Sequence, residues 1–383
     1  YDAVLGGNSP PPIHGAVLGG IEGVKKRLAS SDVEAQIVAL KDALNYEDVD
    51  SDLVINALES ESTKVRALAY EVLRRKSEVK ARQAIHKYRH ILKNNNSWSL
   101  PERLRRNGSP CTVTFANRKI QTYVRDKELH DIHETAYHVT KNSDLDALLQ
   151  HSKINEVEAL LFNETNNFEN NISSANNKLL NLKALSRGYY NNTTSGLIYF
   201  SPFNICSILE AYPNLELLKI GDACGLEVSP FSHENLKTLI IESSEDIGIE
   251  NIKQILCLNL PQLSHLELWL GKPRYGSNFY LQELQPILQE GLFPQLTYLG
   301  LRCSKDSDII AEAIANSNEL EFLKILDLSI GSLTDKGAEA LLNCPQINQL
   351  EILNVSKNFL SETMVKELQK LKIQVIASNQ KKS

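Results

Sequence analysis

The chain has 383 residues, of which 42% are hydrophobic and 23% charged, with a net charge of -6 at neutral pH. That length suggests two or three domains or one extended repeat array, and the composition excludes wholesale disorder. No stretch reaches the roughly eighteen uninterrupted apolar residues of a membrane-spanning helix, and no secretory signal is visible.

In chain order, Ala3-Val4-Leu5-Gly6-Gly7 recurs as Ala16-Val17-Leu18-Gly19-Gly20 around Pro10-Pro11-Pro12. An extended cap over the first helix is expected there. Four helical stripes follow: Val33, Ile37, Leu40, Ala43 and Leu44; then Leu53, Val54, Ala57 and Leu58; then Val65, Leu68, Val72 and Leu73. The fourth is Ala81, Ala84, Ile85, Tyr88, Ile91 and Leu92. Each recurs at three to four residues, the spacing of one buried helix face.

Charge is uneven along the chain. Residues 62 to 106 hold thirteen Lys and Arg against three acids, whereas residues 151 to 383 hold nineteen basic and twenty-seven acidic residues. The basic patch comprises Arg74, Arg75, Lys76, Lys80, Arg82, Lys87 and Arg89, off the apolar stripes, with Lys93 beyond it and Arg103, Arg105 and Arg106 further on. Such a surface suits phosphate neutralisation, an anionic membrane or an acidic protein. No aromatic platform accompanies it, so a solvated repeat face is the plainer reading.

Asn94 to Ser97 and Asn107 to Pro110 read as linker, and Val113, Phe115, Ile120, Thr122 and Val124 alternate around Asn117 as in a hairpin. His130, His133 and His138, with Glu134, are competent metal ligands. On a helix His130 and His133 share a face. A polar surface stretch is the commoner explanation, so no metal and no cofactor is assigned. His86 and His90 sit four apart among cationic neighbours, which weakens metal binding.

The C-terminal half carries L-x-x-L-x-L six times, at Leu215, Leu236, Leu263, Leu296, Leu323 and Leu350, with Ile or Val allowed last. Successive copies begin 21, 27, 33, 27 and 27 residues apart. Val157/Leu160/Phe162 and Leu182/Leu185 are degenerate earlier copies. This is the leucine-rich repeat pattern, one short strand per unit with a return segment behind it. Ile309, Ile310, Ala313 and Ile314, and later Ala338, Leu341 and Leu342, make the return helical, with Thr334 as a helix cap. The longest interval carries a loop insertion at Gly271 to Gly276. Six scattered cysteines (Cys111, Cys206, Cys224, Cys257, Cys303, Cys344) without C-x-x-C read as reduced core thiols in a reducing cytoplasm.

Alternation within the motif sends three columns out of the sheet. They are Leu217, Thr238, His265, Tyr298, Ile325 and Ile352; then Lys219, Ile240, Glu267, Gly300, Asp327 and Asn354; then Gly221, Glu242, Trp269, Arg302, Ser329 and Ser356. His265, Glu267, Trp269, Tyr298 and Arg302 fall together, flanked by Glu242 and Asp327. Trp, Tyr and Arg are frequent interface anchors. A partner-binding concave face is expected, with Trp269 under the following loop as the core alternative.

Residues 210 to 378 resemble a bacterial leucine-rich-repeat family of unassigned role, with ribonuclease-inhibitor-like repeats. The carriers are His233 to Glu242, Leu266 to Gly271, Gly291 to Pro294, and Leu328-Ser329 through Thr334 to Leu342. Residues 1 to 92 are similar to cyanobacterial HEAT-repeat modules, through Val65-Arg66-Ala67-Leu68-Ala69 and the paired Ala-Val-Leu-Gly-Gly words. The resemblances imply an α/β leucine-rich-repeat horseshoe solenoid with an N-terminal all-α HEAT-like helical domain. The expected boundaries are a helical domain at 1–93, a connector at 94–150 and leucine-rich repeats at 151–383. They bring no catalytic residues. No phosphate-binding glycine loop, nucleophile elbow or H-E-x-x-H occurs. The expected function is a non-catalytic cytoplasmic scaffold binding a partner protein. The alternatives are tetrapyrrole or other ligand handling by the HEAT domain, and nucleic-acid binding through residues 62 to 106.

Overall fold

The computed structural model describes residues 20–46, 49–95, 114–163, 167–188, 203–221, 226–243, 247–271, 281–288 and 291–382. The proline-containing cap, the linker arginines Arg103, Arg105 and Arg106, Cys111, Cys224, and the inserted loop after Gly271 lie outside the described residues. The chain divides into two compact units, residues 1–88 and 89–383.

Among the described residues, the first unit is helical throughout. It contains α1 (Gly20–Leu28), α2 (Val33–Ala43), α3 (Ser51–Ala57), α4 (Thr63–Arg74) and most of α5 (Val79–Asn95). Three helices begin where a short polar side chain takes an otherwise unpaired amide. Asp32 accepts from Glu34 N at 3.1 Å, Asp50 from Asp52 N at 3.0 Å, and Ser62 from Val65 N at 3.4 Å. Ile37, Leu40, Val54, Val65, Val72 and Leu73 form the core, as the stripes predict. Two stripes are narrower than expected. Val33 opens α2 and Ile91 lies near the end of α5, and both are exposed. Each lies within the first or last turns of its helix.

The second unit is organised by one twelve-stranded sheet. Its strands are β1 (Thr114–Phe115), β2 (Arg118–Thr122), β3 (Thr135–Val139), β4 (Ala159–Phe162), β5 (Ala184–Arg187), β7 (Leu217–Gly221) and β9 (Thr238–Glu242). They continue as β10 (His265–Trp269), β11 (Tyr298–Arg302), β12 (Ile325–Asp327), β13 (Ile352–Asn354) and β14 (Gln374–Ile376). β6 (Phe203–Asn204) and β8 (Leu226–Glu227) pair separately. Among the described residues only β1 and β2 pair antiparallel, joined through Ala116 and Asn117 at φ 51° and 62°. A two-residue turn with both centres left-handed matches the twist of a tight hairpin. β2 then pairs in parallel with β3. The hairpin expected in a separate connector at 94–150 is therefore the first edge of the repeat sheet.

Every strand from β3 onward lies in register with its neighbour, so each motif position forms a row. Leu218, Leu239, Leu266, Leu299, Leu326 and Leu353 align inward and are all fully buried. Burial of one such side chain contributes about 1.5–3 kcal/mol, and stacking extends it into a continuous core. The degenerate copies occupy the same row through Leu160 and Leu185. The next inward row contains an exception. Arg187, fully buried, stands between Phe162 and Ile220, with its guanidinium 6.0 Å from the Phe168 ring.

Behind the sheet lie α6 (Asn142–Leu148), α7 (Phe168–Ser174), α8 (Ile205–Ala211), α9 (Ile249–Leu256) and α10 (Leu281–Leu288). α11 (Ser307–Ala315), α12 (Asp335–Leu342) and α13 (Glu362–Leu368) complete the series. Ile310 and Ile314 are buried as expected, but Ile309 is exposed. Thr334 caps α12, accepting from Lys336 N at 3.3 Å. Asp308 in turn accepts from Thr334 N at 2.7 Å, and Asp335 from Ser361 N at 2.9 Å, so each helix start is tied to the next repeat. Of the described cysteines, Cys206 and Cys344 are buried, but Cys303 is half-buried and Cys257 exposed. The expectation of uniform core thiols therefore fails at α9, whose C-cap is Cys257.

Candidate functional site

The three outward columns expected from the motif are the rows the sheet forms. Thr238, His265, Tyr298, Ile325 and Ile352 are aligned across five strands. Ile240, Glu267, Gly300, Asp327 and Asn354 are aligned likewise. Gly221 pairs with Glu242, and Trp269 with Arg302. The seven expected site residues are thus assembled on one face by β9 to β12.

Their chemistry divides them. Glu267, Tyr298, Arg302 and Asp327 are at most 4% exposed, whereas His265, Trp269 and Glu242 retain accessible surface. Glu267 is the hub. Its Oε1 accepts from Trp269 Nε1 at 2.6 Å and from Arg302 Nη1 at 2.7 Å. The Tyr298 hydroxyl donates to Asp327 Oδ2 at 2.9 Å and lies 3.4 Å from Glu267 Oε2. Arg302 Nε donates to Ser329 Oγ at 2.9 Å and stands 3.5 Å from Asp327 Oδ1. Its guanidinium also lies 4.5 Å from the Trp269 ring, and His265 stacks on Tyr298 at 3.8 Å. Charge-assisted bonds of this kind are strong in a low-dielectric setting, so the four buried members fix one another.

Gly300 makes the closure possible. A Cβ there stands 3.1 Å from Tyr298 Cε1 and 3.2 Å from Glu267 Cγ. The empty position between Glu267 and Asp327 admits the tyrosine hydroxyl to both carboxylates. A glycine inside an otherwise filled column was the sequence signal for this crowding.

The accessible part of the face lies beside the network. Leu217, Lys219, Thr238, Ile240, Glu242, His265 and Trp269 are all partly exposed on β7, β9 and β10. Lys219 Nζ and Glu242 Oε1 are paired at 2.9 Å. Sequence reasoning placed Lys219, Thr238 and Ile240 in the columns but did not single them out, because a motif carries no measure of exposure.

The three histidines of the metal hypothesis do not converge. His130 is an exposed loop residue, and His133 sits in a short 3-10 turn (Ile132–Glu134), so the two do not share the face that one helix would give them. His133 lies 3.6 Å from Glu158, while buried His138 is on β3, 3.4 Å from Thr122 Oγ1. Burial pushes the His138 imidazole below the usual histidine range, against a smaller raising contribution from Asn163. At Glu158, burial opposes the charge, but hydrogen bonds from Lys183 and Arg118 outweigh it and hold the carboxyl low. His233 is also pushed down by burial. Its Nδ1 receives Leu236 N at 3.0 Å, and its Nε2 lies 3.1 Å from the Tyr212 carbonyl oxygen, which fixes the neutral tautomer with the proton on Nε2.

Much of the basic patch is engaged in local contacts. Arg74 and Arg75 donate to Glu71 at 3.0 and 2.9 Å, and Lys76 to the Val49 carbonyl at 2.7 Å. Lys80 is 3.2 Å from Asp52, and Arg82 donates to the Ser77 carbonyl at 2.7 Å. Lys87 is exposed. Arg89, counted with the second unit, is buried in a two-pronged pair with Glu319 at 2.9 and 2.6 Å and lies over the Phe322 ring.

Strands β7, β9, β10, β11, β12 and β13 carry the leucine motif and stack in parallel, which gives the second unit the features of a leucine-rich-repeat solenoid. No protein-family model matches the chain, and no curated protein matches it in sequence. A crystal structure of a protein from Bacteroides fragilis is similar at TM-score 0.59 and 23% identity, over 79% of this chain and 84% of that one. That likeness concerns the fold alone. An internalin from Listeria monocytogenes aligns over 77% of this chain and 93% of its own at TM-score 0.28 and 12% identity, too loose a likeness to carry an argument. No described helix is long and apolar enough to cross a membrane.

Proposed function

We propose that the chain is a non-catalytic scaffold for protein interaction or assembly, acting in a bacterial cytoplasm. In this reading a HEAT-type helical module and leucine-rich repeats share one chain, and a partner protein seats on the outward sheet face. The observation that carries it is the strip of partly exposed side chains in register across β7, β9 and β10. It mixes apolar Leu217 and Ile240 with the Lys219–Glu242 pair and the accessible edges of His265 and Trp269. The buried network anchors Trp269 by its indole N–H, so the strip is preformed and little side-chain ordering is lost on binding.

The test is an affinity capture from source-cell lysate followed by reconstitution with the purified partner. Wild type runs beside Thr238→Arg/Ile240→Arg and beside a control, Leu180→Ser, at an exposed site away from this strip. The expected result is one partner held by wild type and control and lost with the double variant, all three melting alike. Capture that ignores the double variant removes the partner from this face. A chain that holds no partner under any condition sinks the scaffold reading.

A further inference from the structure

The last turns of α5, from Arg89 onward, belong to the second unit and bring Arg89, His90 and Lys93 against the short 3-10 turn Glu319–Glu321. The first two meet carboxylates. Arg89 is buried in its two-pronged pair with Glu319, and His90 Nε2 lies 2.8 Å from Glu321 Oε1. Lys93 does not. Its Nζ donates at 2.7 Å to the main-chain carbonyl oxygen of Glu321, a neutral acceptor. Among the described residues no carboxylate stands at ion-pair distance from Lys93.

A second ammonium acts on it. Lys324, immediately before β12, has only 14% of its side chain exposed, and the carboxylate facing it, Glu351, is 3.8 Å away and 54% exposed. Burial holds the Lys93 amine below the ordinary lysine range, and Lys324 pushes the same way, while Glu351 and Glu321 offset only part of this. Desolvation beside a like charge is the setting in which a lysine gives up its proton and becomes a nucleophile. Lys93 keeps some accessible surface, so a small reagent reaches it.

We propose that Lys93 is an acylation site whose reagent is an acyl phosphate, with the phosphate end drawn to the ammonium of Lys324. The neutral Nζ attacks the acyl carbon, a C–N bond forms, and the C–O bond to phosphate breaks. The amine proton departs with inorganic phosphate, and Lys93 ends as a neutral amide. The product suits its place. An amide N–H remains to donate to the Glu321 carbonyl oxygen, and loss of the charge ends the repulsion with Lys324. Arg89 is no rival for the reagent, because a guanidinium keeps its proton and Glu319 already holds it. This site is independent of the outward strip on β7, β9 and β10.

The probe is acetyl phosphate, added to the full chain across a pH series, with acetylation at each lysine followed by mass spectrometry. Exposed Lys87 and Lys357 serve as internal references. Near neutral pH Lys93 should acetylate roughly tenfold faster than either, because a lower pKa multiplies the neutral fraction of an amine. Its rate should level off below the ordinary lysine range. Lys324→Met should slow Lys93 by about fivefold or more and leave Lys87 unchanged. Glu351→Gln, which removes an opposing charge, should speed it. Melting curves check that both variants fold, and the wild-type pH series decides the matter without them. An uncharged acetylating ester should still favour Lys93, by a smaller margin. An equal margin with that ester overturns the choice of reagent. Lys93 acetylating no faster than the references, or at a rate blind to Lys324→Met, overturns the site.

Discussion

The same outward positions of one repeat sheet are built in two ways. On β7 and β9 they carry Leu217, Lys219, Thr238, Ile240 and Glu242, which stay partly exposed. On the next three strands, β10 to β12, the equivalent rows hold Glu267, Tyr298, Arg302 and Asp327, which are buried. Position in the motif therefore does not determine exposure. What differs is whether neighbouring strands supply partners at hydrogen-bond distance. Glu267 accepts from Trp269 within its own strand and from Arg302 on the next, whereas Lys219 and Glu242 pair with each other. Accessible surface is left where neighbouring strands do not bury the outward side chains.

The largest effect should come from breaking the closed region. Glu267→Ala removes the acceptor of both Arg302 and Trp269 and should cost about 3–5 kcal/mol, the range for stranding one member of a buried ion pair. Chemical denaturation measures it. Glu267→Gln should lose less, because its amide oxygen still accepts from Arg302 or Trp269. A Glu267→Ala variant as stable as wild type contradicts the network.

A smaller loss is expected where the backbones of β5 and β7 approach. Gly188 has φ 76°, and a Cβ there lies 2.9 Å from the Gly221 carbonyl oxygen. Gly188→Ala combines left-handed strain with a backbone clash and should cost about 1–3 kcal/mol. Equilibrium unfolding again decides it, and a neutral result places the strand ends farther apart.

The pH response sharpens the picture of the interior. His138 and His233 have folded pKa values held below the ordinary 6.5, chiefly by burial. As pH falls below that value the unfolded chain takes up protons first, so stability is full above about pH 6.5 and declines toward pH 5. The low carboxyl of Glu158 adds a further loss at lower pH, below its ordinary value of 4.5. Unfolding midpoints that rise from pH 7.5 to 5 contradict this.

The smallest stability effect belongs to the open region. Ile240→Arg alone should cost no more than about 1 kcal/mol, because Ile240 is only partly buried on the outward face. A thermal melt checks this before any binding comparison. A large loss makes Ile240 part of the core and closes the face that the scaffold reading needs.

The sequence by itself determined the repeat and its register. A motif with fixed internal spacing dictates which residues face inward, because strand alternation has period two. Hence Leu160 and Leu185 of the degenerate copies stand in the same row as Leu353. It also determined Thr334 as a cap and the helical stripes of the first unit, since these depend on contacts within a few residues. It did not reveal that β2 and β3 continue the sheet, because Tyr137 and Val139 stand there in place of the leucines. It did not reveal Arg187 in an inward row. Exposure on the outward face was likewise illegible. The separation of a closed network from an open strip depends on residues some thirty positions apart, such as Glu267 and Arg302, meeting across β10 and β11. Only the tertiary structure decides that, because hydrogen-bond satisfaction is a property of neighbours in space, whereas the motif specifies direction alone.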